Sequence, residues 1–300
     1  MEINSDTIRA LRTVYSKRFQ DGFALANNDW QKYCQVEQST GAVSVYPFLL
    51  SFGGMEEWKG DRQLKNVETK TFELPNRKFE DSVSVPRDTI EDDQYGTYGT
   101  VIQQMGMNAN SLWGDIADEL LTERAAAATW ADDAAFFATN RKYKKNTIVN
   151  KGTVELSATA YAATRGTMRS YKAHNDKPLK VNPNLLIIGQ SNEEVAFDIL
   201  KNELVIAAGA NKKNVWYGTA DILILPCLTG VYAKWWFLAD VSNVIKPVIV
   251  QQRRLPKFTA LDRDTDQNVF DRDEYVYGTD ARGATAYTMP HLIYGNFPEA

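Results

Sequence analysis

Cysteine, histidine and long apolar runs are the scarce elements of this 300-residue sequence, and each scarcity removes a class of protein. The two cysteines, Cys34 and Cys227, stand far apart in the chain, so neither a disulfide framework nor a CxxC metal or redox pair can be written from them. A reducing compartment is expected. The two histidines, His174 and His291, sit in neither a nucleophile-elbow nor a zincin context, and both read as satisfied or solvated side chains. GxGxxG and GxxxxGK[ST] are missing, so nucleotide binding has no local support and no cofactor is expected. No window approaches the roughly 20 apolar residues that a bilayer helix needs. The opening residues carry Glu2, Asp6, Arg9, Arg12, Lys17 and Arg18 with no apolar core between them, unlike a signal peptide. The expectation is a soluble chain made inside the cell, with no membrane partner. Basic charge is not in excess either: 38 acidic against 34 basic residues leave -4, which gives no whole-surface attraction for nucleic acid or anionic lipid.

What is present is the material of a large core, with 44% hydrophobic and 11% aromatic residues. The length is about twice the commonest domain size, which suits one elaborate domain or two interleaved ones. Asn4-Ser5-Asp6 can cap a helix in which Ile8, Leu11, Tyr15 and Phe19 recur at helical spacing, giving about four turns that dock on something. Val43 to Phe52 is extended and apolar, and Gly53-Gly54 breaks it. Lys65 to Glu73 and Lys78 to Val85 read as two strands around Leu74-Pro75-Asn76-Arg77, a long hairpin too charged to fold alone. After Glu91-Asp92-Asp93 a helix is predicted over 95–130, with Val101, Ile102, Met105, Ala109, Leu112, Trp113, Ile116, Leu120 and Leu121 on its buried stripe. A rod of that length, on the order of 45 Å, is a spine. Ser157 to Ala173 is helix-forming, and an α+β unit follows. Its strands are Leu185 to Ile188, Ile222 to Leu225 and Trp235 to Leu238, its helix is Glu193 to Lys201, and Ala207 to Asn214 is an exposed loop. Strand-like pieces then return at Val248 to Gln251, Tyr275 to Tyr277, Ala284 to Thr288 and Leu292 to Tyr294.

Chemistry finds no foothold in these elements. Asp262, Asp264 and Asp266 begin like a calcium loop, but Gln267 stands where the sharp turn demands glycine and Asp273 where a bidentate Glu is expected. The three aspartates are candidates for a looser cation site, and a solvated acidic loop is the preferred reading. Arg141, Lys142, Lys144 and Lys145 could meet phosphates, but with Tyr143 as their one aromatic they read as a solvated face. Trp235-Trp236-Phe237 reads as burial between two layers, since alternate residues of a strand face opposite sides.

The order of parts resembles the Hong Kong 97-type major capsid fold, of α+β class. Several stretches are similar to the Mu-like phage (gpT-like) major head subunit family. These are 52–62 (Phe-Gly-Gly-Met-Glu-Glu-Trp-Lys-Gly-Asp-Arg), Phe79 to Asp88, Ile90 to Asp93, and Asp133-Ala134-Ala135-Phe136-Phe137. Asn268 to Asp273 and Tyr277 to Gly283 echo the family's terminal segment. The family's His-Pro after the Phe-Phe step is replaced by Ala138-Thr139-Asn140.

The resemblance implies an N-terminal arm over 1–45 and a peripheral domain over 46–58 and 88–152 containing the spine. It implies an extended loop (E-loop) over 59–87, an axial domain over 153–244, and strands over 245–300 that return to the peripheral domain. The intersubunit contacts it implies are Trp58, Lys59, Arg62, Lys65, Lys70, Arg77, Phe79 and Arg87, with Gly209, Asn211, Lys212 and Lys213 on an axial loop. The function implied is that of a non-enzymatic major capsid protein of a tailed bacteriophage or prophage. It would be assembled in the host cytoplasm, through hexamers and pentamers, into an icosahedral shell around double-stranded DNA bound without sequence specificity. Because the arm begins almost at Met1, a separate scaffold is expected, along with portal and decoration proteins. Hairpin lysines crosslink in some capsids of this fold, but no motif around Lys59, Lys65 or Lys70 demands an isopeptide bond. The alternatives are an encapsulin-like cargo shell and, more remotely, a soluble metal-dependent hydrolase using the three aspartates.

Overall fold

Two mixed sheets organise the chain, which a computed structural model describes over residues 5–49, 69–92, 96–143, 146–173, 176–207, 210–263 and 265–299. In chain order the elements are α1 (Ser5–Leu25), β1 (Cys34–Gln38), β2 (Val43–Leu49), β3 (Thr69–Pro75), β4 (Arg77–Pro86), α2 (Arg87–Glu91) and α3 (Thr97–Leu121). Then come β5 (Arg141–Tyr143), β6 (Asn146–Ile148), β7 (Lys151–Gly152), α4 (Ala158–Arg169), β8 (Leu185–Ile188) and α5 (Glu193–Leu200). The hairpin β9 (Leu204–Ala207) and β10 (Ala210–Lys213) precedes β11 (Asp221–Ile224) and β12 (Trp236–Ala239). The chain closes with β13 (Val248–Leu261), α6 (Gln267–Arg272), β14 (Glu274–Tyr287) and β15 (Ile293–Asn296).

The first sheet runs β1-β13-β14-β4, with β1 parallel to β13 and the other pairs antiparallel. One face of it carries the long helix. Thr285 donates to the Ile116 carbonyl at 2.9 Å and the Tyr287 hydroxyl to that of Leu120 at 2.8 Å, so β14 is bonded to α3 as well as packed on it. The second sheet, β11-β8-β12-β15-β7, is flanked by α4 and α5. The four residues of β8 and the four of β12 are all buried, as expected of strands covered on both faces. Trp236 faces the core shared with α4 and α5, while Phe237 faces the core shared with α3, which is the two-sided burial expected of that aromatic run.

Helix α1 lies on α3, and glycine sets how closely. A Cβ on Gly22 would fall 1.8 Å from the Gln103 carbonyl oxygen, and one on Gly106 would fall 2.0 Å from that of Phe19. Ile8, Tyr15 and Phe19 are buried against the end of the first sheet, where Tyr15 meets Tyr277 edge to face at 5.1 Å. The helix extends over 21 residues rather than the four turns expected, because its apolar stripe continues to Phe23.

Other expectations are corrected. The spine ends at Leu121, not near residue 130: the Thr122 hydroxyl turns back to the Asp118 carbonyl at 2.7 Å, and the turns that follow bury Trp130 with its indole donating to the Thr288 carbonyl. The strands on either side of Asn76 do not pair with each other. β3 pairs with β2, and β4 joins the first sheet beside β14, so Pro75-Asn76 is a corner between two sheets. In the stretch expected as a loop, Ala207 and Ala210–Lys213 are paired strand residues of β9 and β10, and the pieces expected at 275–277 and 284–288 fall on one continuous β14. Arg141 is no solvated residue: it is buried over the Trp130 ring, paired with Asp132 and bonded to the Ala135 and Phe136 carbonyls.

Replacing Gly106 with alanine should destabilise the protein. Helix propensity favours the change by about 1 kcal/mol, but the new methyl meets backbone, and overpacking costs about 1–3 kcal/mol. Urea unfolding should give a net loss for Gly106→Ala and a small gain for Gly166→Ala, whose Cβ meets nothing within 4 Å. Equal effects at the two positions would contradict the close crossing.

Candidate assembly interface

The feature that leaves the body is the two-stranded ribbon β2–β3, whose strands pair from Val43↔Pro75 to Leu49↔Thr69. Its root is held by one amide. Gln251, fully buried on β13, accepts from the Tyr46 hydroxyl at 2.7 Å and donates to the Leu74 carbonyl at 3.2 Å and to Asn76 Oδ1 at 2.7 Å. Asn76 passes the connection on, donating to Ser39 Oγ and to the Gly41 and Ala42 carbonyls. Leu74, Phe72 and Tyr46 pack on Ile249, Ala284 and Ala286, on the sheet face opposite α3. Val43 and Val45, near the root, are exposed, and farther out the ribbon is paired only with itself among the described residues. A lone two-stranded ribbon is marginal in water.

The second exposed feature is the β9–β10 hairpin. Asn214 fastens its root, donating to the Ile199 and Asn202 carbonyls at 2.8 Å each. Leu204, Val215 and Tyr217 around that root are exposed, as are Lys212 and Lys213. A contiguous exposed apolar patch is a surface suited to contact with another macromolecule.

Of the contact residues expected from the sequence, Trp58, Lys59, Arg62, Lys65 and Gly209 lie outside the described residues, and Lys70 and Asn211 are placed only as backbone of β3 and β10. Arg77, Phe79 and Arg87 are held by this chain's own body. Arg77 pairs with Glu119 of α3 at 2.8 Å and lies over the Phe79 ring, and Arg87 approaches Asp273 at 3.9 Å.

The acidic loop is not simply solvated: Asp262 is 2% exposed, faces Arg12 of α1 at 3.5 Å, and burial raises its pKa. Asp266 instead caps its own turn by accepting from the Arg263 amide at 2.9 Å, and Asp264 lies outside the described residues. Among the described residues no group of three acidic, cysteine or histidine side chains is arranged to hold a metal. His291 sits beside Met289 and Leu292, and burial pushes its pKa down to about 4 against the opposing pull of Asp240. His174 is outside the described residues.

Sequence reasoning missed the junction that joins the arm, the spine and the second sheet. Asp118 of α3 accepts from the Tyr33 hydroxyl at 3.1 Å and from the Cys227 thiol, and burial lifts its pKa to about 6. Both cysteines lie near this carboxyl, and burial raises the pKa of each thiol, so neither is a ready thiolate. No local motif announces such a cluster.

A long helix bonded to a four-stranded sheet, a ribbon rooted on the opposite face and a second α+β unit with its own exposed hairpin make up a Hong Kong 97-type capsid subunit. Residues 8–155, 147–228 and 229–298 match the model of the Mu-like prophage major head subunit gpT family, and the chain belongs to that family. It is 27% identical over 297 residues to the Mu-like prophage FluMu major head subunit of Haemophilus influenzae, covering 98% of this chain and 75% of that one. To the major capsid protein of Escherichia phage Mu it is 24% identical over 287 residues, covering 96% and 72%. A subunit of the bacteriophage JBD30 procapsid superposes with TM-score 0.61 at 25% identity over 99% of this chain and 77% of that chain. The capsid of Cyanophage P-SCSP1u gives 0.59 at 10% identity, covering 90% and 87%, a likeness of fold alone. The chain is a structural major capsid protein of a tailed phage or prophage, and not an enzyme.

The Asp118 junction predicts an unusual pH dependence. With the folded pKa near 6 and the unfolded value near 4, the folded state holds the extra proton between them, so stability falls as pH rises through that window. Asp118→Asn should flatten stability across pH 4–6 and gain up to about 3 kcal/mol above it. Denaturant melts of the dissociated subunit at pH 4, 5, 6 and 7.5 check this, and an unchanged pH slope would refute it.

Proposed function

We propose that the chain is a shell tile whose β2–β3 ribbon lies across a neighbouring copy and serves as the extended loop. On this reading the loop spans about 43–75 instead of 59–87, and β4 belongs to the peripheral domain with α1, α3 and the first sheet. The second sheet with α4, α5 and the β9–β10 hairpin is the axial domain, whose hairpin with Lys212 and Lys213 points to the five- and six-fold axes. The copies assemble as pentamers and hexamers in the host cytoplasm around double-stranded DNA, aided by separate scaffold, portal and decoration proteins.

The observation that carries this reading is the asymmetry of the ribbon. Its root is fixed by a fully buried amide, while its outer pairs have no third strand among the described residues. Ordering such a ribbon needs surface from elsewhere, so its stabilisation arrives with assembly. Modest contacts repeated around each copy are reversible singly and secure together. An encapsulin-like container shares the architecture, as the virus-like particle from Pyrococcus furiosus does at TM-score 0.52 and 10% identity, but family membership favours the phage head.

Removing residues 47–71 and joining the cross-strand partners Tyr46 and Phe72 through an Asn-Gly turn should leave a folded subunit that builds no closed shells. Circular dichroism reads the fold and electron microscopy the shells. Normal particles from this deletion would contradict the role given to the ribbon.

A further inference from the structure

Beyond Ala284 the sheet face that roots the ribbon lies open, and its first open row is cationic. Lys78, Arg282 and Arg254 are direct cross-strand partners on β4, β14 and β13, and the register shift between Gln252 and Arg254 inserts Arg253 beside them. The four side chains line one surface pocket. Like charges set directly opposite each other destabilise a sheet. Among the described residues only Arg254 has a carboxylate partner, Asp280, and Arg253 donates to the Ser39 carbonyl at 3.1 Å. Arg282 holds its Nε out of water with no acceptor among the described residues. The next row outward is Lys257, Asp280 and Glu80, of which Asp280 reaches back to Arg254 and leaves Lys78 and Arg282 without a carboxylate among the described residues. A self-repelling row with an unmet buried donor is completed by an anionic partner.

The same sheet carries the complementary charge at its far end. Residues 262–274 hold six carboxylates against two arginines, a net of -4. Asp262 is engaged by Arg12 and Asp273 approaches Arg87 of its own chain at 3.9 Å, but Asp271 and Asp273 both remain exposed just after Phe270, which is 87% exposed. Asn268 ties this loop to the end of the ladder, donating to the Leu261 carbonyl at 3.0 Å and the Glu274 carbonyl at 2.6 Å. From Arg254 to Asp262 the strand runs roughly 25 Å at about 3.3 Å per residue, so the loop does not reach its own row.

We propose that the α6 loop of one copy docks, through Phe270, Asp271 and Asp273, on the Lys78–Arg282–Arg254 row of a second copy of this chain. Leu255, half exposed beside the row, gives the Phe270 ring an apolar rest. The two halves of the contact are different patches, so the contact is heterologous and repeats around a ring, which suits a tile and rests on the shell reading above. Duplex DNA is the rival occupant. A phosphate backbone meets the charge of the row, but it leaves an exposed aromatic at the centre of the acidic loop unexplained.

The test is a charge exchange: Lys78→Glu with Arg282→Glu, Asp271→Lys with Asp273→Lys, and all four changes in one chain. Each pair alone should cut the yield of closed shells about tenfold or more, and the fourfold variant should return it to within about threefold of the unaltered protein. Circular dichroism confirms that every variant folds. Either pair assembling normally, or loss with no recovery in the fourfold variant, would overturn the docking. Full shells from the Lys78 and Arg282 pair that merely hold less nucleic acid would assign the row to DNA and overturn it as well. A preparation in which the unaltered protein builds no shells counts against the tile reading. The docking is then read from salt-sensitive subunit association in sedimentation, which should vanish in either pair and return in the fourfold variant.

Discussion

The buried amide of Gln251 is the constraint on which the outward-facing part of the molecule depends. It holds Leu74, Asn76 and Tyr46 at once, and a carbonyl or amide stripped of its partner in that dry site would cost about 1–3 kcal/mol. The ribbon therefore leaves the sheet at a set place and direction. Beyond its root the ribbon is paired only with itself among the described residues, and on the proposed reading a neighbouring copy supplies what the subunit does not. A tile needs that division, because a fully self-sufficient loop would have no reason to prefer the surface of another copy.

The body that presents the ribbon is tied together by a few unlike contacts. Glycines let α1 press against α3, two β14 hydroxyls bond the carbonyls of α3, and Phe136 stacks on Tyr287 at 4.1 Å where the two sheets share a core. Asp118 sits where arm, spine and the second sheet meet, bearing the cost of a buried carboxyl in exchange for partners from two other segments. The cationic row and the acidic loop occupy opposite ends of one continuous β13–β14 ladder, so the spacing between them is set within the subunit.

Elements with a strong apolar pattern were legible in the sequence: the α3 stripe apart from Val101, which is exposed, the helix-forming stretch of α4, and the buried strands β8 and β12. Asn76 misleads, because Pro-Asn between two strand-like runs reads as a hairpin turn. Its side chain instead satisfies carbonyls near residue 41, making a corner that only tertiary structure reveals. Trp130 and Arg141, in the turns after the spine, are buried through partners that no helical pattern foretells. Asp262 looked like a solvent-facing carboxylate because local composition says nothing of Arg12 arriving from α1. Glycines inside the helical patterns of α1 and α3 were the one local signal of close approach that a reader could have used. Gln251, an amide following Val248-Ile249-Val250, was a fainter one.

The place of the ribbon in the assembled particle decides whether it serves as the extended loop. An electron cryomicroscopy reconstruction of shells formed by the unaltered chain should show residues 47–71 resting on the adjacent copy, with Gln251 still bonded to Leu74 and Asn76 of its own. A ribbon folded back onto its own sheet, with no adjacent copy touching it, would contradict the account.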